Sequence, residues 1–216
     1  MTISALRGGQ EGRVPVTLAG EARAERLIDA GAAAAEETGT RVTLTAAIAR
    51  LLVATLTDHP ALNATLVDDD EMEYRTDVNL GVAVALENGA LVVPVVHEAQ
   101  VCTLAALAIR MADLAARARD GSLARTDTRG ATFTLSSTGN IALPIVGTPS
   151  LTRGQAGILL AARIADRPVV EDGDVVAGKV LPLSLTFDHV AVNGVPALRF
   201  FGDLVRRVER PEQWIR

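Results

Sequence analysis

The search for a proton-transfer group in this chain is short, because it holds three histidines and one cysteine. His59 lies in Asp58-His59-Pro60 at a predicted helix end, where a capping or surface role fits it. His97 follows Val95-Val96 at the end of a predicted strand, beside Glu98. His189 differs from both. It closes an alternating run that ends Phe187-Asp188-His189, and it precedes Asn193-Gly194 and a helical pattern. A histidine at a strand end before a glycine turn can project its imidazole into a cleft while the scaffold holds its backbone. Imidazole titrates near pH 6.5, so such a group suits general acid–base work at neutral pH. Cys102 has no candidate base near it in sequence and stands just before a helical pattern, so a packing role is expected for it.

The elements around these residues read as one α/β domain. Val14, Val16 and Leu18 alternate as in a half-buried strand. Glu21 to Thr38 is rich in Ala and Glu and predicts a helix ending near Gly39; Thr43 to Thr57 predicts a second, ending before Pro60. Leu80 to Leu86 and Ala90 to Val96 are apolar runs joined by Glu87-Asn88-Gly89, a hairpin signal, with Pro94 marking an irregular stretch. Thr103 to Asp120 predicts a long amphipathic helix capped by Thr103 and stopped by Gly121. Ala131 to Ser136, Ala156 to Ile164 and Leu181 to Phe187 read as strands, and Val195 to Val208 as the last helix. No internal repeat or low-complexity linker divides the chain.

Composition bounds the partners. Hydrophobic residues make up 49% and charged residues 22%, while aromatics are only 3%, so the core must be built from Ala, Val, Leu and Ile. A net charge of −5 argues against nucleic acid as the main ligand, since phosphate binding needs a basic face. No stretch approaches the ~20 apolar residues of a membrane helix, and Met1 to Gly12 has no apolar block of the secretory kind. One cysteine excludes an internal disulfide, and the reading is a cytoplasmic protein.

Asp188-His189-Val190-Ala191-Val192-Asn193-Gly194 resembles the His-x-x-x-Asp-Gly signature of the dihydrolipoamide acyltransferases of 2-oxo acid dehydrogenase complexes, and of chloramphenicol acetyltransferase. Phe133-Thr134-Leu135-Ser136-Ser137-Thr138-Gly139 is similar to the family's Phe-Thr-Ile-Ser-Asn-Leu-Gly segment. Pro60 to Asn63, Asn79 to Val84, Gly89 to Val96 and Gln155 to Pro168 match further blocks in the same order, so the resemblance spans about Arg41 to Arg210. It implies a chloramphenicol acetyltransferase-like mixed sheet flanked by helices, with a tail at 1–12 and the acyltransferase domain at 13–216.

The implied reaction moves an acyl group between dihydrolipoamide and coenzyme A, the coenzyme being a substrate and no metal taking part. His189 would be the base that makes the thiolate, since a thiol near pKa ~8.5 is mostly protonated at neutral pH. Ser136 would donate to the oxyanion of the tetrahedral intermediate, and a register shift of one keeps Ser137 open. Base and donor would come from different subunits of a homotrimer, with a larger cage left open and Trp214 and Ile215 as candidate anchors in the tail.

Two departures stand out. Asn193 replaces the usual aspartate, holding geometry by hydrogen bonds without adding charge, and Val190 replaces an arginine. No lipoyl domain, subunit-binding domain or basic arm is visible before Arg13. Either the chain is an excised catalytic fragment, or it is a free-standing relative that receives its acyl group from a lipoyl domain in trans or from another carrier thiol. Rival expectations are a diverged acyltransferase using a carrier protein or a small acceptor, and a trimeric scaffold without catalysis. Retention of both His189 and Ser136 argues against the scaffold.

Overall fold

The computed structural model describes residues 12–68, 71–139 and 146–215, so the tail expected at 1–12 lies, apart from Gly12, outside the described residues. In chain order the elements are β1 (Pro15–Arg23), α1 (Glu25–Thr38), α2 (Leu44–Asp58), β2 (Ala64–Asp68), β3 (Glu71–Tyr74), β4 (Leu80–Val82), β5 (Val84–Ala85), β6 (Leu91–Val92), β7 (Val95–Val96), α3 (Leu104–Asp120), β8 (Phe133–Ser137), β9 (Gly157–Ala161), β10 (Ala165–Glu171), β11 (Asp174–Asp188) and α4 (Gly194–Glu209). The main sheet has seven strands in the order β1-β11-β9-β8-β4-β7, with β10 also paired to β11. It is mixed: β4–β8 and β8–β9 are parallel and the other pairs antiparallel. None of the described helices is long and apolar enough to cross a membrane.

Strand alternation gives the two faces of this sheet different characters. Val16 and Leu18 of β1, Phe133 and Leu135 of β8, Leu159 of β9, and Leu183, Leu185 and Phe187 of β11 share the face that packs on the helices. Phe133 meets Phe200 of α4 at 6.0 Å between ring centroids. Gly157 stands beside Phe133 on this face, where a Cβ would come within 2.7 Å of the ring. Glycine is what lets β9 lie this close. The opposite face carries hydroxyls: Thr17 and Thr186 bond each other at 2.8 Å, and Thr134 donates to Gln155 Oε1 at 2.7 Å. Buried Ser184 lies on the same face.

The helix ends follow local chemistry. Thr43 and Thr103 accept hydrogen bonds from Ala46 N and Ala106 N as N-caps, and Gly39 and Gly121 terminate α1 and α3 in the left-handed region. The first helix begins at Glu25 instead of Glu21, because Glu21 to Arg23 continue β1 against Pro182 to Val180. Ala22, 1% exposed, extends the inward series Val16, Leu18, Gly20, so sheet pairing overrides a helix-favouring composition.

The predicted Asn-Gly hairpin forms, but each of its arms breaks in two. β4 pairs β7 within the main sheet, while β5 and β6 form a separate ribbon. Pro94, with no N–H to give, sits at the break. Two hairpins were not expected. One joins β2 to β3, and the other joins β10 to the first half of β11 through Asp172-Gly173, with φ of 51° and 93°. Positive φ at both central residues is the geometry that Asp-Gly favours.

Candidate active site

β11 hands the chain to α4 through a tight turn, and His189 is its first residue. Ala191 N and Val192 N both donate to the Asp188 carbonyl, at 3.1 and 2.9 Å. His189 N donates to Val14 O at 2.8 Å, which carries the β1–β11 ladder one step further. The imidazole itself is exposed and rests near the Phe187 ring, 5.8 Å between centroids. No described residue bonds its ring nitrogens. A Cβ added at Gly194 would lie 3.9 Å from His189 Nε2, so the ring stands over the first turn of α4. Asn193 caps that helix in an extended conformation, yet its side chain makes no capping bond, leaving an exposed amide four residues from the imidazole.

The adjacent serines are separated by the pleat of β8. Ser137 points to the helix side, where its Oγ bonds Thr45 Oγ1 at 3.2 Å. Ser136 points to the hydroxyl-bearing face with Thr134, is half-buried, and has no partner among the described residues. A hydroxyl without a described partner is available to donate to a bound oxygen, whereas the Ser137 hydroxyl is engaged by Thr45. Thr45, at the start of α2, was not foreseen as a neighbour. Nothing local in the sequence joins residues that far apart in the chain.

His189 and Asn193 stand at the two ends of one short turn, and Ser136 lies away from both. Ser136 is level with Leu160 of β9, which is level with Ser184 of β11. Five residues of strand then separate Ser184 from His189, about 17 Å at roughly 3.3 Å per residue, before the sideways offset is added. One imidazole and one hydroxyl so far apart cannot act on the same carbonyl. A site using both must be completed by a second chain.

The remaining candidates are engaged elsewhere. His59 ends α2 and bonds Asp203 Oδ2 at 2.5 Å, edge-on to Phe200; burial, and then the nearby Arg207, lower its pKa. His97 faces Thr126 O at 3.2 Å. Cys102 is buried, as its packing role requires. Among the described residues no group of three or more His, Cys, Asp or Glu side chains is arranged to hold a metal ion.

The mixed sheet with its helix layer has a chloramphenicol acetyltransferase-like fold; a chloramphenicol acetyltransferase structure shares it at 12% identity, with a TM-score of 0.60 over 96% of this chain and 92% of that one. The chain belongs to the 2-oxoacid dehydrogenases acyltransferase (catalytic domain) family, whose profile matches residues 3–216. It is 37% identical, over 178 residues, to the dihydrolipoyllysine-residue acetyltransferase component of the acetoin cleaving system of Bacillus subtilis. That match covers 82% of this chain and 44% of the relative, so the chain spans less than half the length of this curated relative.

Two solved structures superpose with a TM-score of 0.89 at 26% identity, covering 99% of this chain and 88% of theirs. One is the cubic core of a pyruvate dehydrogenase multienzyme complex. The other is the dihydrolipoamide acetyltransferase of Azotobacter vinelandii, studied for the roles of a serine, a histidine and an asparagine in its catalytic mechanism. Its asparagine lies four positions after its histidine, the spacing of His189 and Asn193. Its serine stands as far ahead of the histidine as Ser137 does here, one position nearer than Ser136, so spacing and side-chain direction point to different serines. Direction is the stronger guide, because one residue gained or lost in a loop changes spacing and leaves the strand face unchanged.

Proposed function

We propose that this chain transfers an acyl group between the thiols of dihydrolipoamide and coenzyme A. The observation that carries the reading is the unpartnered imidazole of His189, held on a fixed turn in a chain of this acyltransferase family. The imidazole takes the proton of the attacking thiol, and the thiolate adds to the thioester carbonyl, forming one C–S bond. The resulting oxyanion accepts a hydrogen bond from Ser136 of the partner subunit. Collapse breaks the other C–S bond, and the imidazolium returns its proton to the departing sulfur. Asn193 supports the imidazole through its free amide without adding charge.

The separation of His189 from Ser136 supports a homotrimer in which each interface completes one site, and the resemblance to a cubic core supports trimers as building blocks of a larger cage. The lipoyl group arrives on a lipoyl or carrier domain. A reducing compartment, the cytoplasm, suits a chain whose single thiol is unpaired.

The test mixes the purified protein with acetyl-, propionyl- or branched acyl-coenzyme A and dihydrolipoamide, and follows thioester exchange. His189→Ala should lower the rate by roughly 10²–10⁴-fold, as for a lost general base. Exchange at the wild-type rate in a folded His189→Ala protein would rule the mechanism out.

A further inference from the structure

The residue before the histidine is a buried carboxylate whose place in the turn the thiol chemistry above does not use. Asp188 has a side chain with no exposed surface. Its Oδ1 accepts Val14 N at 3.1 Å and Val190 N at 3.1 Å. Its Oδ2 has no hydrogen-bond partner and lies 3.7 Å from Arg13 Nε, a charge contact. The side chain of Arg13 is only 7% exposed, and its Nη1 donates to the carbonyls of Thr152 and Gln155 at 3.1 and 3.0 Å. Burial lowers the guanidinium pKa, and the charge of Asp188 works against that shift.

These contacts converge on the backbone of His189. Val14 gives its N–H to Asp188 and its carbonyl to His189 N. Val190 N, on the other flank, is held by the same carboxylate oxygen. The imidazole has no described partner to orient it, so its direction is set by this backbone and by Phe187. A buried charge left without its counter-charge is costly, so Arg13 and Asp188 hold each other in place beside the turn. Gln155, whose carbonyl receives Arg13, also accepts from Thr134 of β8, which ties the turn to the sheet.

We infer that Asp188 and Arg13 are positioning residues for the acyl-transfer reaction: a buried ion pair that fixes the backbone on both sides of His189 and so aims its imidazole. The inference rests on His189 being the base, as proposed above. Misplacing a reacting group by about 1 Å can cost 10²-fold in rate. A pair that serves only stability would lower the melting temperature and leave turnover of the folded protein unchanged.

The experiment compares wild type, Asp188→Asn, Arg13→Gln and the double variant, all below their melting temperatures, for kcat and KM of acyl exchange. Hydrogen exchange at residues 189–192 is followed in parallel. Each single variant should lose about ten- to a hundredfold in kcat with KM nearly unchanged, and exchange faster at the turn. The double variant, a neutral pair of similar size that keeps an oxygen for Val14 N and Val190 N, should recover most of the loss. A folded single variant with kcat within about twofold of wild type overturns the inference, because a misaimed base costs far more. Should Asp188→Asn not fold, Arg13→Gln is judged by the same criterion. If His189→Ala leaves exchange unaffected while the turn amides still loosen in the single variants, the functional reading fails and the clamp stands.

Discussion

At the scale of single residues, two neighbouring hydroxyls on β8 compete for the role of oxyanion donor proposed above. Ser136 faces away from the helices without a described partner, and Ser137 faces them in a bond to Thr45. Ser136→Ala should therefore slow turnover by roughly 10²–10³-fold with little change in apparent affinity, while Ser137→Ala stays close to wild type. Steady-state kinetics of the two variants decide it: the reverse pattern would assign the donor to Ser137. His189 could be singled out in the sequence as the candidate base because it alone of three histidines sits between a strand pattern and a glycine turn inside a matching block. The choice between neighbouring serines was not legible. It depends on which face of β8 each presents and on Thr45, and both are properties of the folded sheet. The clamp of Arg13 on Asp188 was hidden for the same reason, since its partners come from opposite ends of the chain.

At the scale of elements, the helices were read well, because capping and stop residues act locally: Thr43, Thr103, Gly39 and Gly121 all do what their types predict. The strands were read less completely. The ribbon of β10 with the start of β11 carries adjacent valines, Val169-Val170 and Val175-Val176, in place of alternation, and only Asp172-Gly173 marked the turn. The join between β1 and α1 depends on charge. Glu25, in the first turn of α1, receives Arg23 Nε and Nη2 and the backbone N–H of Lys179 at 2.6 Å. Burial pushes its carboxyl pKa up, but hydrogen bonds from Arg23, from its own backbone and from Lys179, together with the charge of Arg23, outweigh it and hold the group at about 2 in place of the ordinary 4.5. A carboxylate depressed in the folded state stabilises above its unfolded pKa, and that contribution is lost as pH falls through 4.5 toward 2. Glu25→Gln should thus be less stable than wild type near neutral pH, with the gap closing in acid. Denaturant midpoints measured from pH 7 downward test this; a gap that does not change with pH would remove Glu25 from the acid response.

At the scale of the whole molecule, the fold class was foreseen from a handful of sequence blocks, and the structure adds what those blocks could not: His189 and Ser136 lie about 17 Å apart along one sheet, by the strand rise. The proposed shared site follows from that distance, and its most direct test is complementation. His189→Ala and Ser136→Ala chains carrying different tags are produced together, and assemblies holding both are isolated and assayed for acyl exchange, with light scattering to give their size. If each interface pairs one chain's histidine with the next chain's serine, every closed trimer that holds both variants keeps both groups intact at one of its three interfaces, about a third of the sites. Activity near that fraction of wild type, well above either variant alone, is the predicted result. Mixed assemblies no more active than the two variants separately, or a fully active wild-type monomer, would contradict the shared site.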